Sequence, residues 1–302
     1  MRMRKAIRCL KLCVVILGLS VGTARGADFS DGTATFSGYF SREAVYGVAD
    51  FMMPLFESPN NAAFFINPGA GVNLKIKDGV HGAERAYIGI GHRVFLPGGQ
   101  FGGSGPFHKG VILGLNWYLD GQYSMHDNIL FDTGGGLEML SDRLDARLNV
   151  YFRLTGEKEA GKNISGRGLY GAAVHADSSG AYETALSGAD GEVGYRLPLP
   201  DQLGEIWVFG GAYRLQGKSI ENISGLKGRV QWNPLPSIQI GAGLFSTERL
   251  NGERWQIQLA YHIPISINAM QGGGGFFRMD NTPKTGDLWR DRFTTPVLRH
   301  GM

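Results

Sequence analysis

Along Arg143–Leu154, RLDARLNVYFRL, every even position is apolar: Leu144, Ala146, Leu148, Val150, Phe152 and Leu154. Every odd position is polar or amphipathic: Arg143, Asp145, Arg147, Asn149, Tyr151 and Arg153. Strand side chains alternate between two faces, so an extended backbone sorts these residues into one greasy ribbon and one charged ribbon. At helical spacing the arginines interrupt any apolar stripe. The stretch reads as a strand. Its charged face needs water or a polar network, and its greasy face needs a protein core or hydrocarbon. That choice decides the fold.

The chain opens MRMRKAIRCLKLCVVILGLSVGTARG. A basic start, an apolar run over Leu12–Val21 and small residues at Ala24 and Gly26 read as a cleaved secretory signal over residues 1–26. The run is too short to span a bilayer as a helix. Both cysteines, Cys9 and Cys13, lie inside it, so the exported chain has no thiol and no disulfide, and packing and ladders must hold it. Six of the 30 basic residues and none of the 27 acidic ones fall in residues 1–26, so the remainder is slightly acidic. A nucleic-acid partner gains no support from that balance.

Twelve strand candidates follow. They are Thr33–Ser41, Ala44–Phe56, Ala62–Ile76, Ala86–Phe95, Gly110–Asp120, Asn128–Met139, Arg143–Arg153, Ala181–Arg196, Gly204–Gln216, Ser224–Asn233, Ser237–Thr247 and Arg254–Pro264. Several repeat the opening alternation, including Val111–Asp120, Leu226–Asn233 and Arg254–Ile263. The poorest period belongs to Ala44–Phe56, which carries Pro54. Strands of about ten to twelve residues at ~3.3 Å each, tilted near ~45°, cover the ~25 Å apolar band of an outer-membrane barrel. Aromatics fall near strand ends (Trp117, Tyr118, Tyr151, Phe152, Tyr195, Trp207, Tyr213, Trp232, Phe245, Trp255, Tyr261), which suits interfacial girdles. The expected fold is an all-β, transmembrane, antiparallel up-and-down barrel of about twelve strands over residues 27–264. A soluble β-sandwich, which also alternates, is the rival.

The connections supply a parity check. With Leu140–Asp142, Leu197–Leu203 and Pro234–Pro236 as periplasmic turns, Thr155–Gly180, Gly217–Ile223 and Glu248–Glu253 lie outside. Both barrel ends then face the periplasm, provided Gly168–Asp177 is a hairpin within the long loop. Leu96–Lys109, long and glycine-rich, fits poorly at the periplasmic rim where this scheme puts it.

The run ILGLNWYLDGQYSMHDNILFDTGGGLEMLSDRLDARLNVYFRLTGE resembles the membrane β-domain of inverse autotransporters, the intimin and invasin group. The residues that carry the likeness are Gly114, Asn116, Tyr118 and Asp120, then Gly136 and Glu138, the turn residue Asp142, and Asn149, Tyr151 and Leu154. Gly188, Asp190, Leu197–Pro200, Tyr213, Pro234, Leu235 and Gly241 extend it, so that it spans roughly residues 50 to 264, with a fainter echo in Asp287–Arg299. The resemblance implies a twelve-stranded barrel whose C-terminal segment threads the pore and carries an adhesive passenger outward. Neither the tandem immunoglobulin-like passenger nor a peptidoglycan-binding module is found in these residues, so the expectation is an anchor without a passenger.

Within such a barrel, Arg143, Asp145, Arg147, Asn149 and Arg153, with Asn116 and Asp120 on another strand, are candidates for a lumen lattice that braces the wall or sets ion selectivity. Residues 265–302 form a tail, with QGGGG at Gln271–Gly275, that either plugs the lumen or extends into the periplasm. Catalysis gains no support. His92, His108, His175 and His262 are scattered, and no metal-ligand or nucleophile motif is present. No cofactor is expected. The partners expected are outer-membrane lipid, the barrel-assembly machinery and an unidentified surface or passenger protein. The expected location is the bacterial outer membrane, in a structural or adhesin-related role, with an open solute pore or a soluble binding sandwich as alternatives.

Overall fold

The computed structural model describes residues 32–41, 44–58, 62–76, 84–98, 105–124, 128–159, 168–170, 173–176, 182–217, 222–247, 254–265, 292–293 and 295–297. The signal over residues 1–26 and the QGGGG stretch lie outside them. Among the described residues there are sixteen strands: β1 (Gly32–Ser41), β2 (Ala44–Ser58), β3 (Ala62–Ile76), β4 (Glu84–Leu96), β5 (Val111–Tyr123), β6 (Ile129–Leu140), β7 (Leu144–Arg153), β8 (Lys158–Glu159), β9 (Gly168–Tyr170), β10 (Ala173–Ala176), β11 (Tyr182–Ala185), β12 (Ser187–Arg196), β13 (Glu205–Gln216), β14 (Ile223–Leu235), β15 (Ile238–Thr247) and β16 (Arg254–Ile265).

Twelve of them, β1–β7 and β12–β16, close into one antiparallel barrel, sealed where β1 pairs with β16 from Gly32↔Ile265 to Ser41↔Gln256. Closure leaves no open edge, the only way a sheet can sit in hydrocarbon with its backbone polar groups paired. The alternation chooses the faces. Along β7, Asp145, Arg147, Asn149 and Tyr151 are buried inside, while Leu148 and Phe152 are each 50% exposed on the outer surface. Leu113, Leu115, Trp117 and Leu119 of β5 face outward in the same way, as do Leu226, Val230 and Trp232 of β14. A sandwich would bury these leucines in a dry middle; here they ring the outside.

Two expectations about the wall change, one is met and one gains a cause. Ala181–Arg196 is not one strand: β11 leaves the barrel to pair with β8 and β10 in a four-stranded sheet, and only β12 joins the wall. Gly168–Asp177 does hold a hairpin, β9–β10, within that sheet. The poor period of β2 has a local cause, because its register against β3 shifts between Pro54 and Phe56 and again between Val45 and Tyr46. Such irregularities break the two-residue rhythm. Finally, Tyr118, Tyr151, Trp207 and Tyr213 are no part of an outer girdle: all four are buried in the lumen, and Phe245 packs against Tyr151, Leu186, Tyr213, Leu215 and Ile223. Trp117, Phe152, Tyr195, Trp232, Trp255 and Tyr261 remain outside.

One rim carries the connections 59–61, 97–110, 141–143, 197–204 and 236–237 together with both ends of the wall. The long 97–110 connection does belong there, because Leu96 pairs with Val111 beside the Ile112↔Leu140 rung. Gly110 closes it with φ 108, a left-handed conformation that favours glycine. The opposite rim carries 154–186 and its small sheet.

Candidate functional site

The lumen is lined by ionised and hydrogen-bonding side chains that the alternation turns inward from neighbouring strands. Three knots can be distinguished. In the first, Arg85 donates to Asp120 Oδ1 through Nη2 at 2.5 Å and through Nε at 3.1 Å. Beside it Asp50 accepts from the Tyr87 hydroxyl at 2.5 Å and from Asn67 Nδ2 at 2.9 Å, and the Tyr118 hydroxyl donates to Asn67 Oδ1 at 2.6 Å. Four strands are tied by that chain of contacts.

The second knot runs from β7 across β12 to β14. Arg147 donates to Asp145 at 3.2 Å and to Glu192 at 3.4 Å, and Arg229 reaches the same Glu192 at 2.7 Å. The Arg229 guanidinium lies 3.4 Å from the centre of the Phe209 ring. One step along, Asp190 accepts from Lys227 and from the Tyr151 hydroxyl, both at 2.5 Å. Glu192 and Asp190 of β12 thus meet cations from other strands, and charged hydrogen bonds of this kind are stronger than neutral ones.

The third knot joins the wall to the C-terminal tail. Arg93, wholly buried, donates to Glu138 Oε1 at 2.6 Å. It also donates to the backbone carbonyl of Phe293 and, at 2.8 Å, to that of Thr295. In return Arg292 donates to the Ser141 carbonyl and to Asp145 Oδ2, both at 2.7 Å, and its guanidinium lies 4.8 Å from the Trp207 ring centre. Phe293 and Val297 pack with Met52, Ala63, Phe65, Tyr87 and Tyr118.

Asn116, Asp120, Asp145, Arg147 and Asn149 are therefore all buried on the lumen face, Asp120 in the first knot, Asp145 and Arg147 in the second, and Asn149 beside Asp190 at 3.4 Å. Arg143 lies in the 141–143 turn, 47% exposed on its side chain and 4.0 Å from Asp142, and Arg153 lies at the far end of β7. The sequence reading passed over Asp50, Asn67, Arg85, Arg93, Glu192 and Arg292 as lumen groups. The signal for two of them was present: in β4, Arg85, Tyr87 and Arg93 share one parity, opposite Ile88 and Ile90.

The motif glycines fit the same geometry. Asn116, Gly136 and Asn149 stand in one row across three strands, and a Cβ on Gly136 would meet Asn149 Oδ1 at 2.5 Å and Asn116 Oδ1 at 2.9 Å. A Cβ on Gly114 would meet Glu138 at 2.5 Å, so that glycine lets Glu138 lie flat. Aromatic rings cover others: Tyr118 lies over Gly89, where an added Cβ would sit 2.1 Å from the ring. Gly89→Ala should therefore push Tyr118 off Asn67 and destabilise the folded barrel by about 1–3 kcal/mol, the usual range for overpacking. A lowered urea midpoint, read by the different gel migration of folded and boiled protein, would register it, and an unchanged midpoint would mean that the ring moves freely.

Among the described residues no cluster of three or more His, Cys, Asp or Glu side chains has a metal-holding arrangement.

A family model described as the inverse autotransporter β-domain matches residues 103–271, a span that holds every motif from Gly114 to Gly241. No curated protein matches the sequence. A membrane protein solved in a study of in-meso crystallisation is similar at a TM-score of 0.59 and 18% identity, over 90% of this chain and 97% of its own, which supports the shared barrel fold. The COG4313 outer-membrane channel of Pseudomonas putida F1 aligns at 0.46 with 10% identity, over 80% of this chain and 97% of its own. The β-domain of the Bordetella autotransporter BrkA aligns at 0.39 with 12% identity, over 78% and 99%. With more than half of its length matched, this chain belongs to the inverse autotransporter β-domain family, a barrel of the bacterial outer membrane.

Proposed function

We propose that the protein is an occluded membrane anchor of the translocator type, exported by residues 1–26 and held closed by its own C-terminal segment. The observation that carries this reading is the reciprocal grip of Arg93 and Arg292, each contributed by one body and received by the other. In this reading the rim with the shorter connections faces the periplasm, and the 154–186 excursion with its four-stranded sheet is presented at the cell surface in a structural or adhesin-related role. The lattice groups Asp120, Arg147 and Asn149 act as braces, because each is engaged with a neighbouring strand's polar group, while Asp145 joins Arg147 to the tail's Arg292. Catalysis has no place in it.

Deletion of residues 271–302 tests the occlusion. Single-channel conductance in planar bilayers should rise from a closed baseline to stable open levels. Equal conductance with and without the tail would remove the plug, and a wide open channel in the full-length chain would favour a solute pore instead.

A further inference from the structure

The contacts around residues 292–297 have the character of a recognition site and not only of an obstruction. The wall groups have partners within the wall itself: Arg93 is held by Glu138 and lies 5.2 Å from the Phe65 ring centre, and Asp145 is held by Arg147. Each is aimed at a different feature of the segment. Arg93 reads two backbone carbonyls, those of Phe293 and Thr295. Asp145, the Ser141 carbonyl and the Trp207 ring together read one guanidinium, that of Arg292. The pocket of Met52, Ala63, Phe65, Tyr87 and Tyr118 takes Phe293 and Val297. Backbone clamps give affinity, while a charged slot and an apolar pocket at fixed separation give sequence preference. None of the wall groups belongs to the strand that leads into the tail: they come from β2–β7 and β13, while the segment joins the wall after β16.

From this we propose that the lumen floor is a peptide-binding site specific for a short segment of the pattern Arg-Phe-x-Thr-Pro-Val, turned at its start where the Thr295 amide donates to the Arg292 carbonyl, and that it accepts such a segment in trans, from a separate chain as well as from its own. The inference rests on the occlusion reading only for its consequence, the closing of the channel. Its own content is binding. A linked segment competes at an effective concentration of about millimolar for short flexible linkers, so a free peptide is best tested where the resident segment has been disarmed.

The test uses the full chain with Arg292→Ala and Phe293→Ala, folding being checked by gel migration before and after boiling. If that variant does not fold, Val297→Asp alone disarms the segment. A fluorescent synthetic peptide of residues 287–300 is titrated in detergent and followed by anisotropy. Saturable binding is expected, weakened at least about tenfold when the peptide carries alanine at 292, as truncating a buried charge pair requires. Asp145→Asn in the wall should weaken the parent peptide but leave the alanine-292 peptide unchanged, because the two changes remove one shared contact. Absence of saturable binding, or equal binding of a scrambled peptide, overturns the proposal. Conductance of the same preparation separates the two ideas. Peptide that binds and closes the variant supports both. A variant that conducts no more than the parent ends the occlusion reading while the binding result still decides the site.

Discussion

Arg93→Met should cost the folded barrel about 3–5 kcal/mol, the range for stripping one partner from a buried ion pair. Glu138 would be left in the lumen wall without the guanidinium that now lies 2.6 Å away, and the carbonyls of Phe293 and Thr295 would lose their donor. The two losses can be told apart. Pairing Arg93→Met with Glu138→Gln removes the stranded charge, so most of the stability should return. The tail clamp does not return, so conductance of the double variant should stay above the parent's. Urea midpoints and planar-bilayer recordings on the parent, the single and the double variant read the two effects separately. A single variant that loses less than about 1 kcal/mol would mean that water already screens the pair, as it does at exposed sites, and the lattice would then be no brace.

The second large effect lies on the other face. Leu148→Arg should destabilise the barrel in lipid by about 2–4 kcal/mol, as a cation at the bilayer midplane does. Leu148 is half exposed in a row with Leu115 and Leu137, one on each of three neighbouring strands. Leu199→Arg is the control: Leu199 is also an exposed leucine but sits in the 197–204 connection at the rim, and its change should stay within about 0.5 kcal/mol. Folding titrations into lipid vesicles compare them. Equal effects at both positions would mean that the leucine row does not face hydrocarbon.

How much of this was legible in the sequence depends on parity. β7 announces its faces because each of its two ribbons is chemically uniform, and the same holds for β5, β14 and β16. Aromatics blur the rule. Tyr118 and Trp117 are adjacent and equally bulky, yet one bonds Asn67 inside and the other faces out, and size alone does not say which. Tyr118 shares the parity of Asn116 and Asp120, and that company was the better guide. The break at Leu186 was passed over although the apolar parity changes there, from Tyr182 and Leu186 at even positions to Val193 and Tyr195 at odd ones, as the chain passes from the small sheet to the wall. The partners in each knot could not be read at all. Whether Arg147 meets Glu192 or a neighbour two residues away depends on cross-strand register, which a sequence states only through turn lengths and bulges. The tail contacts are further still from local pattern: Arg93 and Phe293 are separated by 200 positions.

The seam between β1 and β16 has a consequence for how such a molecule comes into being. Thr35 and His262 touch across it at 3.0 Å although 227 positions separate them, so the first strand made must wait for the last before its outer flank has a mate. Contacts so remote in sequence form slowly, and a waiting flank of bare amides is intolerable in oil. Insertion one hairpin after another, each left exposed to acyl chains, is thereby excluded. Either the ring shuts before it is immersed, or a foreign strand shields both margins until the ends meet.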